Sequence, residues 1–350
     1  MSISSSNKIR FGVISASGMA AMHMKGIVMN PNSELTAICD IDKEKLEDVG
    51  RQFDVKKLYT DYNEMLKKED LDAVVIATPD QLHAEMTVAA LNAGKHVLCE
   101  KPMALKIEEC KTMIETSEKT GEKLMIGQIC RFTPGFKKAK ELIDAGEIGN
   151  LFYVESEYAH DYTHVSPKGS WRLDPLRNGV IGGGCHAVDL LRWIAGDPYQ
   201  VCAFSNRKVF PDWPTDDCTV SLLKFPHEVI GKIFVSLGCK RDYTMRSVFY
   251  GDKGTIIATN TLPFITLYKQ ELNGNEYVFG KSTSHEIGMQ IPVDISSHNA
   301  MAEINEFIDA IVTDEPILTD GRQGAYTVAA CQAITESARK DESIRVNYDF

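Results

Sequence analysis

The stretch Gly94-Lys95-His96-Val97-Leu98-Cys99-Glu100-Lys101-Pro102 restricts the fold more than any other part of the sequence. Gly94 can take the left-handed conformation that ends a helix. Residues 96–99, with Val97 and Leu98 at their centre, suit an inner strand of a parallel sheet. Glu100-Lys101-Pro102 then falls at the carboxyl end of that strand, the edge at which open parallel sheets hold their ligands. Proline fixes the backbone after Lys101, and its peptide bond is open to either isomer. A lysine held in that place is a candidate for chemistry.

The residues before this stretch repeat one rhythm. Residues 9–14 form a short apolar strand, and Ser15-Ala16-Ser17-Gly18-Met19-Ala20 a turn of small residues. A helix follows to about residue 29 and is stopped by Asn30-Pro31. Residues 35–39 form a second strand closed by Asp40. Asp42 and Asp61 can cap helices that end near residues 53 and 68, with a short strand at 57–59 between them. Residues 73–77 are almost purely apolar and end in Thr78-Pro79-Asp80. Helices at 83–93 and 107–120 and a strand at 123–129 complete the series. This alternation predicts an α/β, Rossmann-type doubly wound parallel sheet, with the strand ends Ser15, Thr78 and Glu100 on one edge.

After Gly127 the rhythm changes. A helix at 136–145 is followed by strands at 151–158, 201–208, 218–225, 229–237, 246–250, 255–259 and 264–269. Turns such as Gly251-Asp252-Lys253-Gly254 and Asn273-Gly274-Asn275 separate some of them. That pattern predicts an α+β domain with a large, mainly antiparallel sheet. Helices at 302–312 and 321–340 close the chain. The expected division is a tail at 1–8, a nucleotide-binding domain at 9–127 and a substrate-binding and oligomerisation domain at 128–350.

Composition narrows the function classes. The 350 residues suffice for two domains, and 43% hydrophobic content permits a core in each. A net charge of −11 argues against a nucleic-acid partner. No apolar run reaches membrane-spanning length, and the serine-rich start lacks a hydrophobic signal region. The nine cysteines are scattered without a Cys-x-x-Cys pair, which suggests neither a disulfide framework nor a metal site. A reducing cytoplasm is the simplest location.

A dinucleotide fingerprint would place its three small residues at Ser15, Ser17 and Ala20, where glycine is usual at the first two and glycine or alanine at the third. Serine is small, and its hydroxyl can donate to a phosphate oxygen. The pyrophosphate would rest on the amide groups that open the next helix. Asp40 lies where an acid meets the adenosine ribose, and its charge would repel a ribose phosphate, favouring NAD over NADP. An ordinary β-α-β unit with a strand-ending aspartate is the alternative reading of these residues.

Together, the Gly12 to Ala20 turn, Thr78-Pro79-Asp80-Gln81-Leu82-His83, Glu100-Lys101-Pro102, Arg131-Phe132-Thr133-Pro134, Trp171-Arg172 and Gly183-Gly184-Cys185-His186-Ala187-Val188-Asp189 resemble the Gfo/Idh/MocA oxidoreductases, the family of glucose–fructose oxidoreductase and inositol dehydrogenase. The resemblance spans the chain after its tail. It implies a nicotinamide-dependent dehydrogenase acting on a sugar, a cyclitol or a derivative, and a homodimer or homotetramer. It also implies that Ser15, Ser17, Gly18 and Met19 face the pyrophosphate and that Thr78, Pro79 and His83 lie along the dinucleotide. Glu100 would hold the nicotinamide ribose, Lys101 would sit between nicotinamide and substrate, and Gln128 and Arg172 would approach the nicotinamide end. The family usually has an aspartate four residues before this histidine; here that position is Gly182.

Oxidising a secondary alcohol requires a hydride acceptor, supplied by NAD, and a base. His186 suits the base because imidazole titrates near working pH. Lys101, its pKa lowered beside a positive nicotinamide ring, would polarise the substrate oxygen. The bland readings are a surface lysine and a core or capping histidine. Asp189 could share a helical face with His186, or simply pack. His160, Asp161 and His164 are further loop candidates, and Cys185 is read as a buried thiol. Lys168, Arg172 and Arg177 could hold a phosphorylated sugar or could be solvated loop charges. Two rival functions stay open: a redox-neutral enzyme that retains NAD and cleaves a glycosidic bond, and a non-catalytic nucleotide sensor.

Overall fold

The computed structural model describes residues 8–165, 170–269, 288–295 and 298–350. Lys168, the Asn273-Gly274-Asn275 turn and most of the expected tail lie outside the described residues. The chain divides into two compact units. One holds the residues through 129 with 299–328 and Phe350; the other holds the described residues of 130–298 with 329–349.

The first unit alternates strand and helix: β1 (Ile9–Ile14), α1 (Gly18–Met29), β2 (Ser33–Cys39), α2 (Lys43–Gln52), β3 (Lys57–Tyr59), α3 (Tyr62–Lys68), β4 (Ala73–Ile76), α4 (His83–Asn92), β5 (His96–Glu100), α5 (Ile107–Thr120) and β6 (Leu124–Gly127). The strands form one parallel sheet in the order β3-β2-β1-β4-β5-β6. Every residue of β4 is buried, which is why its sequence carries no polar alternation. Side chains of β4, β5 and β6, among them Val74, Ile76, Val97 and Ile126, share one core with Ala325 and Val328. Each such aliphatic side chain contributes about 1.5–3 kcal/mol on burial. Asp42 and Asp61 cap α2 and α3 through their carboxylates. Gly121, at φ +77°, ends α5.

Register sets the working edge of this sheet. Ile14 pairs with Ile76, Ile76 with Cys99, and Glu100 with Gly127. The carboxyl ends of β1, β4, β5 and β6 therefore lie side by side. The order of the strands reverses between β1 and β4, the switch point at which doubly wound sheets open a crevice.

The second unit contains α6 (Pro134–Asp144), β7 (Leu151–Ala159), α7 (Cys185–Ala195), β8 (Gln200–Asn206), β9 (Cys218–Lys224), β10 (Ile230–Ser236), β11 (Thr244–Gly251), β12 (Gly254–Thr259), β13 (Phe264–Lys269) and β14 (Met289–Pro292). Later in the chain come α8 (Ala300–Thr313) in the first unit, α9 (Gly321–Lys340), whose residues through Val328 belong to the first unit, and β15 (Ile344–Arg345) in the second. Among the described residues the second sheet runs β14-β13-β12-β11-β7-β10-β9-β8-β15. Its neighbours are antiparallel except β7 and β10, which run parallel. The edge strands β14 and β15 carry too little local pattern to be read from sequence.

α8 packs on α1 in the first unit. Gly26 lets Ile304 approach: a Cβ there would lie 3.3 Å from Ile304 Cγ1. Asn30 donates to Asn305 at 2.7 Å, and Phe307 meets the edge of Phe11 with centroids 6.2 Å apart. No helix among the described residues is long and apolar enough to cross a membrane, and all nine cysteines are free.

Candidate active site

The turn between β1 and α1 is built of small residues, one of them in a glycine-like conformation. Ser15 sits at φ +129°, a region that only glycine enters without strain. Its hydroxyl accepts the Ser17 amide at 3.0 Å, which helps hold that conformation. Ser17 caps α1 by accepting from Ala20 and donates its own hydroxyl to the Ala77 carbonyl at 3.3 Å. Gly18 and Met19 open the helix, where the first amides lack intrahelical acceptors. A Cβ at Gly18 would meet nothing within 4 Å, so the space before the helix is clear. Asp40, at the end of β2, accepts the Ala16 amide at 2.6 Å and the Asp42 amide at 2.9 Å. Its carboxylate is thus fixed against the turn.

Along the same edge, the Thr78 hydroxyl and the Gln128 amide oxygen lack partners among the described residues. The Thr78 hydroxyl is buried without a hydrogen bond. Gln128 donates to Thr327 Oγ1 at 2.9 Å and to the Gln323 carbonyl at 3.3 Å, while its amide oxygen is left without a partner. Orphaned buried polar atoms are costly and call for a ligand or water. With the Ser15 conformation and the clear space at Gly18, they fit a bound dinucleotide. Pro79 caps the short turn before α4. His83 does not present its ring to this edge: it is fully buried, with Nδ1 2.8 Å from the Pro102 carbonyl and Nε2 3.1 Å from the Thr78 carbonyl. It braces the two strand ends from within.

At the end of β5 the peptide bond between Lys101 and Pro102 is cis. Glu100 is only 5% exposed. Its Oε1 lies 2.7 Å from His23 Nε2, and its Oε2 accepts the Lys101 amide at 3.1 Å. Burial alone would raise the Glu100 pKa, but the hydrogen bond to His23 and the nearby charges outweigh it and hold the carboxyl below its ordinary value. Behind it stands Glu303 of α8, with Oε2 4.0 Å from His23 Nε2. Burial first, and then the Glu100 charge, push the Glu303 carboxyl well above its ordinary value, against a smaller opposing pull from Lys101.

In the second unit His186 opens α7 after a π-type turn over Val180–Gly184. The turn needs glycines because neighbours press on it. A Cβ at Gly183 would lie 2.5 Å from the Tyr158 ring, and one at Gly182 would lie 2.4 Å from Arg177 Nη1. The guanidinium of Arg177 thus fills the place of the expected acid, donating to the Gly182 carbonyl at 3.1 Å. Trp171 carries two guanidinium groups against its ring, Arg172 at 4.2 Å and Arg177 at 4.9 Å.

The His186 ring is 4% exposed. Its Nδ1 lies 3.4 Å from Cys130 Sγ, it stacks on Tyr158 with centroids 6.0 Å apart, and His298 stands edge-on at 6.2 Å. His160 approaches the Tyr158 hydroxyl at 3.2 Å, and Tyr243 packs against Tyr158, His160 and His298. Burial keeps the Tyr158 and Tyr243 hydroxyls protonated well beyond the ordinary range. Asp161 pairs instead with Lys240 and Thr163, whose hydroxyl is the main cause of a carboxyl pKa lowered to about 2. His164 is exposed and Cys185 is buried. Asp189 packs inward, bonding Arg131 through both oxygens at 2.7 and 3.0 Å, with Arg192 3.6 Å away.

Sequence reading missed His23, Glu303, Cys130, Tyr158, Tyr243 and His298. A signal existed for two of them. Ala20, His23, Met24 and Ile27, and likewise Ala300, Glu303, Ile304 and Phe307, are buried at helical spacing. A polar residue inside such an apolar stripe marks a buried group with a purpose.

Two family models match the chain: the oxidoreductase family with NAD-binding Rossmann fold over residues 9–128, and the GFO/IDH/MocA C-terminal domain over residues 136–257. Myo-inositol 2-dehydrogenase of Thermotoga maritima is 26% identical over 97% of this chain and 98% of its own length. An uncharacterized oxidoreductase of Schizosaccharomyces pombe is 30% identical over 81% of this chain and 82% of its own length. A levoglucosan dehydrogenase solved with NADH shares the fold, with a TM-score of 0.85, 21% identity, and coverage of 97% of this chain and 99% of that one. The small-residue turn of the first unit and the glycine-histidine turn of the second thus sit on a chain that belongs to the GFO/IDH/MocA family of NAD-binding oxidoreductases.

Proposed function

We propose that this oxidoreductase uses NAD to oxidise a secondary ring hydroxyl of a sugar, a sugar phosphate or a cyclitol to a ketone. The observation that carries the reading is Ser15, held in a glycine-like conformation beside a clear helix N-terminus and an anchored Asp40. Relatives named myo-inositol 2-dehydrogenase and levoglucosan dehydrogenase support a polyhydroxylated ring as substrate.

In this reading the Gly18 and Met19 amides and the Ser15 and Ser17 turn hold the pyrophosphate. Asp40 takes the adenosine ribose hydroxyls and disfavours a ribose phosphate, which selects NAD over NADP. Thr78 and Pro79 line the dinucleotide, Glu100 fixes the nicotinamide ribose end, and Gln128 and Arg172 serve the nicotinamide. NAD, when bound, takes up the hydride. Lys101 supplies positive charge to the oxygen as it becomes alkoxide-like. His186 accepts the hydroxyl proton and can return it. Tyr158 stacks on that imidazole, and burial keeps its hydroxyl protonated.

An anionic substituent on the substrate is a second reading, favoured by the Arg177 guanidinium in the place of an acid at Gly182. We also propose a homo-oligomer. The second sheet leaves Phe204, Leu222 and Ile230 exposed on a face that also carries Glu155, Lys232 and Arg246, a mixture able to complement itself across a twofold axis. Sedimentation velocity checks this: dimers or tetramers are expected, and a monomer at micromolar concentration would remove it.

The catalytic assignment is tested with Lys101→Ala and His186→Asn, each assayed for turnover and for NAD affinity. Turnover is expected to fall by about 10²-fold or more in each, with NAD affinity kept within severalfold. Turnover like the wild type in either variant removes that residue from the chemistry.

A further inference from the structure

The first unit contains a buried cluster of which the dehydrogenase reading uses only Glu100. His23 comes from α1, Glu100 from the end of β5 and Glu303 from α8, and their ligand-type atoms all lie within 4.8 Å of one another. His23 and Glu303 are 0% exposed. Among the described residues neither Glu303 oxygen has a hydrogen-bond partner. The Glu100 oxygen occupies the near side of His23 Nε2, so that nitrogen carries the hydrogen of the bond. His23 Nδ1 has no partner either, and a hydrogen there would be a buried donor without an acceptor. The charged and titratable groups acting on Glu303 are His23 across from it, Glu100 beside it, and Lys101 at the end of β5.

An ionised carboxylate in that place would be desolvated, unbonded and next to a second carboxylate. We propose that Glu303 is a positioning residue for Lys101: its carboxyl stays in the acid form, so Lys101 faces the single negative charge of Glu100 rather than two. The role rests on the assignment of Lys101 to the chemistry made above. One negative charge, tied to His23, balances the lysine while leaving its proton exchangeable. A second would pin the ammonium in place. A divalent cation is the less suitable occupant. His23 and Glu100 are already in direct hydrogen-bond contact, the site is almost wholly buried, and a lysine charge lies close by. The direction of the Glu303 shift agrees with the acid form.

The test compares Glu303→Gln, which is neutral at every pH, with the wild type from neutral to alkaline pH. A carboxyl whose folded pKa is raised contributes stability that is full below its unfolded value and lost as pH rises through the folded value. The melting temperature of the wild type is therefore expected to fall against that of Glu303→Gln as pH rises. The ratio of variant to wild-type turnover is expected to climb by about tenfold along the alkaline limb. Should the variant fail to fold, the infrared spectrum of the wild type serves instead: a protonated-carboxyl band present at neutral pH and lost at alkaline pH is expected.

A pH-independent melting gap, absence of the infrared band, or one tightly held divalent metal per chain whose removal by chelator destabilises the wild type would each overturn the proposal. Failure of the Lys101 assignment is separable. It would show as wild-type turnover in Lys101→Ala and would leave the melting gap unchanged.

Discussion

Replacing Asp189 by leucine removes the carboxylate that answers the charge of the buried Arg131 guanidinium. In the wild type the two side chains share a bidentate pair, and Asp189 is 2% exposed. Removing one partner of such a pair costs about 3–5 kcal/mol, because the remaining ion is desolvated and unpaired. Arg192 keeps Asp197 at 2.6 Å, so it adds less. Exchanging both partners, as Arg131→Met with Asp189→Leu, removes the stranded charge and restores apolar contact. The double variant should recover about 3 kcal/mol over Asp189→Leu alone. Urea unfolding measures both, and in melting temperature the single variant should lose about 10 °C. Turnover per folded molecule should survive in the double variant, since Asp189 spends both oxygens on Arg131. A loss of under about 1 kcal/mol in Asp189→Leu would show that the pair is solvated. A double variant that folds like the wild type yet cannot turn over would return Asp189 to the substrate site.

Two further changes probe the nucleotide turn. Ser15→Gly relieves a strained conformation worth about 1–3 kcal/mol but loses the hydroxyl that accepts from Ser17 and adds chain entropy, so its melting temperature and NAD affinity should stay near wild type. Ser15→Val should lower both, and equal behaviour of the two variants would show that the backbone there is not constrained. Asp40→Ala removes a charge worth about 1 kcal/mol or more against a nearby phosphate, so the preference for NAD over NADP should fall by about tenfold in paired binding titrations. An unchanged ratio would mean that the ribose is read elsewhere.

The first sheet was largely legible because its signals are local. Ile9–Ile14 and Ala73–Ile76 are short apolar runs, and Asp42, Asp61 and Gly121 punctuate their helices through their own side chains or φ. What escaped was non-local. The parallel pairing of β7 with β10 joins strands far apart in sequence, and nothing in either run distinguishes it from an antiparallel neighbour. Glu303 meets His23 only because α8 returns to α1. Arg131 and Asp189 were both visible as landmarks, but not as partners. At Gly182 the sequence showed a missing acid, and the structure supplies the physical content: the guanidinium of Arg177 needs the room that a side chain would take. His83 was readable as a polar residue after a strand end, yet its two ring nitrogens serve backbone carbonyls. Motifs located the edge, and packing decided which side chains face it.

Under the function proposed above, this family member moves a hydride from a ring hydroxyl to NAD. The most direct measurement is NADH formation with NAD and a panel of inositols, free hexoses, hexose phosphates and one glycoside, with NADP in parallel. Steady NADH production with one substrate class is expected, and a hexose phosphate hit would favour Arg177 as its anion partner. NAD binding without NADH from any of these compounds, or glycoside cleavage with no net NADH, would contradict that function.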